Sequence, residues 1–92
     1  TLATVPRQWR VDVVLQTSLA RARRHIPPAA ARLSESSEGV QVRCHTSDLT
    51  FFAYVLLGVQ CPVIVREPDE LHDAFREWSS FTASLARRAD EP

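Results

Sequence analysis

Two segments of this chain alternate apolar and polar residues with a period of two, the pattern of β-strands that are buried on one side only. In residues 9–15 the odd-numbered positions are apolar, and in residues 40–44 the even-numbered positions are apolar. Each segment is expected to turn its apolar positions toward a core and its polar positions away from it. The chain must therefore fold around a sheet that has one covered face and one polar face.

Helix caps, turns and apolar spacing place the other elements. Thr17-Ser18 offers an N-cap for a helix that Pro27-Pro28 stops. Glu38-Gly39 indicates a hairpin turn. Thr46 or Ser47 is expected to cap a second helix, with Asp48 in its first turn and Gly58 as its left-handed end. The remaining segments are a weak strand at 31–36, an apolar strand at 61–66 and a long amphipathic helix from Pro68 to about Arg88.

The resulting order is strand, helix, strand, strand, helix, strand, helix. Its first six elements form the split βαββαβ pattern of the ferredoxin-like fold, an α+β class. Right-handed crossovers put two helices on one face of a four-stranded antiparallel sheet, and the C-terminal helix is additional. At 92 residues the chain is expected to be a single domain with its core at about 8–88, and a fragment of a longer protein.

The polar face of this sheet carries the most chemically suggestive residues. Arg10 and Arg43 fall on central strands, Arg32 and Arg66 flank them, and His45 follows Arg43 on the same parity. Guanidinium groups gathered on one surface favour a phosphate, a carboxylate or a nucleic-acid backbone. Two other interpretations stay open: a solvated face whose charges oppose aggregation, or a face covered by a neighbouring domain or chain. Val14 and Ile64, on the same parity, would then mark the covered surface.

Composition excludes several classes of protein. Lysine is absent, and 11 arginines balance 11 acidic residues, although residues 1–45 hold seven arginines against three acids. A neutral chain does not hold nucleic acid by bulk charge alone, and no exposed strand position carries an aromatic ring for base stacking. No apolar run approaches the length of a membrane span. The two cysteines lack CxxC spacing, which favours reduced thiols and a cytoplasmic protein.

Catalysis and metal binding find little support in the sequence. There is no asparagine, which the acylphosphatases of this topology require, and no GxSxG elbow that would present a nucleophilic serine. Cys44 and His45 are adjacent on a strand, so their side chains point to opposite faces and do not easily share one ion. We expect a non-enzymatic protein with no metal or cofactor.

The last helix has more apolar anchors than a small sheet with two helices needs. Phe75, Trp78 and Phe81 continue its stripe at spacings of three. Part of this stripe is expected to be an interface with another domain or chain.

Several segments, in order, resemble one known family. They are Trp9-Arg10-Val11-Asp12-Val13-Val14-Leu15, Ala20-Arg21-Ala22-Arg23-Arg24 with the double proline, Ser47-Asp48-Leu49, Leu56-Leu57-Gly58, and Val63-Ile64-Val65-Arg66-Glu67-Pro68 with Glu70-Leu71. Over residues 8–88 the series resembles the C-terminal extension, or WCX domain, of bacterial WYL-domain transcriptional regulators.

The resemblance implies a ferredoxin-like fold and a role in dimerisation and effector sensing, with nucleic acid or another anionic ligand as effector. It also implies a WYL domain in the same protein as partner, a homodimer, and DNA contact through an N-terminal winged helix that this chain does not contain. No catalytic residue carries over. A purely structural self-association module and a small-molecule-binding ferredoxin-like domain remain alternatives.

Overall fold

The alternating segments form the two central strands of a four-stranded sheet. The computed structural model describes residues 8–87, so the predicted end of the core at Arg88 lies outside the described residues. The elements occur in the predicted order: β1 Trp9–Leu15, α1 Leu19–His25, β2 Arg32–Ser36, β3 Gly39–Thr46, α2 Leu49–Val59, β4 Val63–Glu67 and α3 Glu70–Ala86.

The sheet has the strand order β2-β3-β1-β4, and all three pairings are antiparallel. In the central ladder Val13 lies opposite Val42, and Leu15 lies opposite Val40. All four side chains are buried, because both strands turn this parity toward the helices. The chain is therefore an α+β protein of the ferredoxin-like type with an additional C-terminal helix, as predicted.

The core lies between the sheet and the helices on its covered face. α1 contributes Ala22, and Ile26 follows at its C-cap. α2 contributes the predicted stripe of Leu49, Phe52, Ala53 and Leu56, together with Val59. These residues pack in one cluster with the buried valines of β1 and β3, so a single core holds both helices against the sheet.

The helix ends agree only in part with the sequence analysis. Ser18 caps α1 as predicted, since its hydroxyl accepts a hydrogen bond from the backbone N–H of Arg21 at 3.2 Å. The cap of α2 is Asp48, not Thr46 or Ser47, because its carboxylate accepts from the N–H of Phe51 at 3.0 Å. A carboxylate at this position also faces the positive end of the helix dipole.

Gly58 was expected to end α2 as its left-handed residue, but it does not. The helix continues to Val59, and the left-handed residue is Gln60, at a φ of 57°. One terminal carbonyl of α2 is satisfied from α1, because the Arg21 Nε–H donates to the Val59 carbonyl at 3.0 Å. This bond joins the ends of the two helices.

The additional helix α3 divides into a packed half and a projecting half. Leu71 and Ala74 are buried in the common core, and α3 packs mainly against α2. Every residue from 79 to 86 is exposed. No helix within residues 8–87 combines the length and the hydrophobicity that a bilayer span requires.

Candidate functional site

The sheet face opposite the helices, here called the open face, carries the arginines that the alternation assigned to it. Arg10 lies opposite His45, and Asp12 lies opposite Arg43, in the β1–β3 ladder. Arg43 lies opposite Arg32 in the β2–β3 ladder. Partners in a ladder share a face, so the fold gathers three arginines and a histidine on one side, as predicted.

Acidic partners neutralise two of these arginines. The Arg10 Nε lies 3.4 Å from a carboxylate oxygen of Glu67, and the Arg43 Nε lies 3.5 Å from one of Asp12. The Asp12 carboxylate also accepts from the Gln41 Nε2 at 3.2 Å. The centre of the open face is therefore less positive than the count of arginines suggests.

The pairing of Arg10 with Glu67 depends on an irregularity in β4. Asp12 lies opposite Glu67, but Val13 lies opposite Val65, so Arg66 is an extra residue in the ladder. Such a bulge changes the parity of the strand beyond it. Regular alternation would have turned Glu67 away from Arg10, and the sequence analysis missed this partner.

Arg66 lies on the open face but away from the other arginines. It is ion-paired and hydrogen-bonded to Glu38, in the β2–β3 turn. Because β1 lies between β4 and β3, this pair crosses β1. Val14 of β1 is only 1% exposed. Val14 was expected to mark a surface covered by a neighbouring domain or chain, but it is already buried within this chain and offers no surface to a partner, whereas Ile64 beside it is 36% exposed.

Arg32 and Arg43 meet Arg23 of α1 at a depression that we call the arginine cleft. It has a volume of about 650 Å³, and its lining residues are Arg23, Ile26, Pro28, Ala29, Ala30, Ala31, Arg32, Leu33, Arg43, Cys44 and His45. A second depression of about 400 Å³ shares Arg32, Arg43, Cys44 and His45 with it and reaches Arg10 and Asp12. Four of the five predicted ligand-contact residues therefore lie together, and Arg66 does not join them.

The arginine cleft exists because β2 is shorter than its neighbour. β2 begins at Arg32, the partner of Arg43, while β3 continues to Thr46. The last three residues of β3 consequently have no β2 neighbour. Residues 27–31 lead from α1 into β2 beside this gap, and four of them line the cleft.

The lining of the arginine cleft is rich in basic side chains, of which Arg43 is paired with Asp12 outside the lining. It contains three arginines and a histidine, and no aspartate or glutamate. Within the described part of the chain, Arg23, Arg32 and His45 take part in no ion pair or side-chain hydrogen bond. The sequence analysis did not include Arg23 among the ligand-contact residues. Its helical spacing predicts only that it lies on the outer side of α1, and does not predict that it approaches β2.

A second surface feature is an aromatic patch on α2 and α3, defined here as Phe51, Tyr54, Leu57, Phe81 and Leu85. All five side chains are between 43% and 66% exposed. The rings of Tyr54 and Phe81 contact Trp78 from two sides, with centroid distances of 5.2 and 5.7 Å. Together these side chains form a contiguous apolar surface.

The predicted interface residues of α3 occupy different environments. Phe75 and Trp78 are partly buried against the core, and the Trp78 Nε1–H donates to the Thr50 carbonyl at 2.6 Å. Phe81 is 51% exposed and is the one of the three that is free to contact a partner extensively. The contributions of α2 to this surface, Phe51 and Tyr54, were missed.

The metal-binding residue types and the thiols are scattered within residues 8–87. No group of three or more histidine, cysteine or acidic residues could hold a metal ion there. Both cysteines are free thiols. Burial raises the pKa of Cys44, and it raises the pKa of Cys61 against opposing effects of the Arg21 guanidinium and a hydrogen bond from the Gln16 backbone.

No protein-family model, curated protein or solved structure matches the chain. The geometry of the arginine cleft and of the aromatic patch is therefore what supports a function.

Proposed function

We propose that this chain is a non-enzymatic regulatory module that binds an anionic effector in the arginine cleft. The observation that carries the proposal is the concentration of basic side chains in this cleft: three arginines and a histidine line about 650 Å³, and no carboxylate belongs to the lining. Of the three arginines, Arg43 is paired with Asp12 outside the lining, while Arg23 and Arg32 have no ion pair in the described chain. Arg23 and Arg32 carry like charges with no acidic partner in the described chain, so they repel each other and Arg43, and a bound anion relieves that repulsion. Guanidinium groups also match carboxylate and phosphate oxygens in geometry.

The wider setting that we propose is a bacterial transcription regulator with a WYL domain. Its support is the ordered series of segments that resembles the WCX extension. An effector that contacts this module and a neighbouring WYL domain would stabilise one arrangement of the domains over another. It would thereby bias the DNA-binding end of the protein. The coding sequence upstream of residue 1 tests this setting: a winged helix and a WYL domain there support it, and their absence contradicts it.

Anion binding is tested by nuclear magnetic resonance titration of the domain with inorganic phosphate, at constant ionic strength set by chloride. The Nε–Hε signals of Arg32 and Arg43 are expected to shift and to saturate. In the double variant Arg32→Gln/Arg43→Gln the remaining signals of the cleft, including those of Arg23 and His45, are expected to shift weakly or not at all.

The matched control is Arg76→Gln. Arg76 is an exposed arginine of α3 that pairs with Asp73 and lies outside the cleft. It should leave phosphate binding unchanged. If phosphate, citrate and a single-stranded oligonucleotide all leave the arginine signals of the wild type unmoved, anion sensing is contradicted.

A second proposed role is self-association through the aromatic patch, with a second copy of the chain as the occupant. Phe81 and Leu85 project from the exposed half of α3, and both also line a mainly apolar groove of about 540 Å³ between α2 and α3. A projecting apolar ridge beside an apolar groove is self-complementary under a two-fold axis, which is the commonest symmetry of dimers.

Sedimentation velocity tests this role. The wild type is expected to dimerise with increasing concentration, and Phe81→Ser is expected to remain a monomer. The variant should fold normally, because Phe81 is half exposed. Ser80→Ala, an exposed change on the same helix, is the matched control. A wild type that stays monomeric at high concentration contradicts the role.

A further inference from the structure

The arginine cleft has an apolar side as well as a cationic one. Ile26, Pro28 and Leu33 line it together with three consecutive alanines, and Cys44 of β3 is at the unpaired strand edge. We infer that its ligand is a small amphipathic anion: a phosphate or carboxylate group attached to an apolar body. The inference rests on the proposed anion-binding function and adds the chemical class of the ligand.

The apolar floor is held in place by the fold. Ile26 is completely buried and Ala31 is 8% exposed, so these two core residues anchor the ends of the exposed segment 28–30, which supplies the accessible apolar surface. The loop beside them contains two prolines and a turn in which the Ala30 N–H donates to the Pro27 carbonyl at 2.9 Å. An apolar body can therefore bury its surface against a preformed wall, and each CH₂ group that leaves water strengthens binding.

The cations occupy only part of the lining. Arg32 and Arg43 are cross-strand partners on the open face, and Arg23 comes from α1 on the other side of the sheet. They therefore approach the cleft from two sides of the β2 edge. One anionic group held between them leaves the rest of the ligand over the alanines and Leu33.

The size of the cleft fits a small ligand. Its volume of about 650 Å³ lies in the range of small-molecule pockets, which is roughly 300–1,000 Å³. A cleft of this size has room for an alkyl or aryl body in addition to a phosphate group.

A polynucleotide fits this surface less well. Binding along a sugar–phosphate backbone needs a track of cations and, for single strands, exposed rings on which bases stack. Beyond the cleft, Arg10 and Arg66 are each paired with a glutamate. The described strands carry one aromatic residue, Trp9, which packs against the core on the covered face.

The experiment compares the dissociation constants of four probes by calorimetry or magnetic resonance titration: inorganic phosphate, hexyl phosphate, neutral hexanol and a ten-nucleotide oligothymidine. Hexyl phosphate is expected to bind at least tenfold more tightly than inorganic phosphate. Hexanol is expected to bind too weakly to measure, because the anionic group is needed for anchoring.

Two variants separate the halves of the cleft. Ala30→Glu puts a carboxylate on an exposed residue of the lining and is expected to abolish binding of both phosphates. Ala29→Phe fills the apolar side and is expected to remove the advantage of hexyl phosphate while inorganic phosphate still binds. Ala20→Glu, exposed on α1 and outside the cleft, is the control for added negative charge.

Each alternative result overturns a defined statement. Equal affinities for hexyl phosphate and inorganic phosphate reject the amphipathic ligand but keep the proposed anion sensing. Tight binding of the oligonucleotide with weak binding of hexyl phosphate replaces the small ligand by a nucleic acid. Failure of all anionic probes overturns both the inference and the proposed function.

Discussion

Arg32 of β2 and Arg43 of β3 are direct cross-strand partners, and within the described chain Arg43 alone of the two has an acidic partner. Two residues of like charge in this position of a ladder destabilise a sheet. Asp12 pairs with Arg43 from β1, which leaves Arg32 without an ion pair in residues 8–87. The fold thus carries an electrostatic cost at the site where we propose that an anion binds.

Replacing Arg32 should therefore stabilise the free domain. Arg32→Gln removes the repulsion and keeps a long polar side chain, so the free energy of unfolding is expected to rise by about 0.2–1 kcal/mol. Urea denaturation at low salt measures the change. The gain should shrink in 1 M sodium chloride, where screening acts over about 3 Å. A loss of stability in Arg32→Gln would contradict the repulsion.

Asp12 is expected to affect stability and anion binding in opposite directions. Its carboxylate, 18% exposed, lies 3.5 Å from the Arg43 Nε and accepts from Gln41. Asp12→Asn should lower the free energy of unfolding by about 1 kcal/mol, since Arg43 is itself largely exposed. Phosphate affinity should rise, because no carboxylate then competes with phosphate for Arg43.

The matched control for Asp12 is Glu35→Gln, a change at an exposed carboxylate of β2 that has no ion pair in the described chain. Glu35→Gln should change neither the free energy of unfolding nor the phosphate affinity appreciably. An unchanged or lowered phosphate affinity in Asp12→Asn would show that Asp12 does not compete with the ligand.

The sequence was sufficient to predict the architecture and most of the cleft. Period-two alternation fixes which side chains of a strand share a face, so it placed Arg10, Arg43 and His45 together before any coordinates were known. The order of elements, combined with right-handed crossovers, then put Arg32 beside Arg43.

The misses have a common physical origin, because they depend on contacts between distant segments. The bulge at Arg66 is a property of the β1–β4 pairing, and it alone brings Glu67 to Arg10. The burial of Val14 accompanies a pairing of Arg66 with Glu38 that no local pattern encodes. Arg23 joins the cleft through the path of residues 27–31, which periodicity does not describe.

The burial of Val14 yields a prediction with an internal control. Val14 and Ile64 are cross-strand partners on the open face, yet one is 1% and the other 36% exposed. Val14→Ala should cost about 2 kcal/mol of unfolding free energy, because it leaves a cavity. Ile64→Ala should cost less, although it removes more atoms. Chemical denaturation of both variants measures the two losses of unfolding free energy. A loss in Ile64→Ala that equals or exceeds the loss in Val14→Ala would contradict the burial of Val14.

The indole N–H of Trp78 is expected to stabilise the fold through its hydrogen bond. Trp78→Phe keeps an aromatic ring beside Tyr54 but removes the 2.6 Å hydrogen bond to the Thr50 carbonyl, which joins α3 to α2. The expected loss is about 0.5–1 kcal/mol, because this bond is exposed and water replaces it in part. Ser80→Ala, an exposed change on the same helix, is the control and should leave the unfolding midpoint unchanged.

The two thiols should make the domain less stable in alkaline solution. Burial raises the pKa of Cys44, and burial also outweighs the Arg21 guanidinium at Cys61, so both thiols ionise at higher pH when folded than when unfolded. Above the unfolded pKa the unfolded chain holds fewer protons, and its formation becomes easier as pH rises. The unfolding midpoint should therefore fall as pH rises from the unfolded pKa to the raised folded pKa of the thiols, and the double variant Cys44→Ser/Cys61→Ser should show a shallower fall. Parallel pH profiles for the two proteins would contradict the assignment to the thiols, since every other titrating group is common to both.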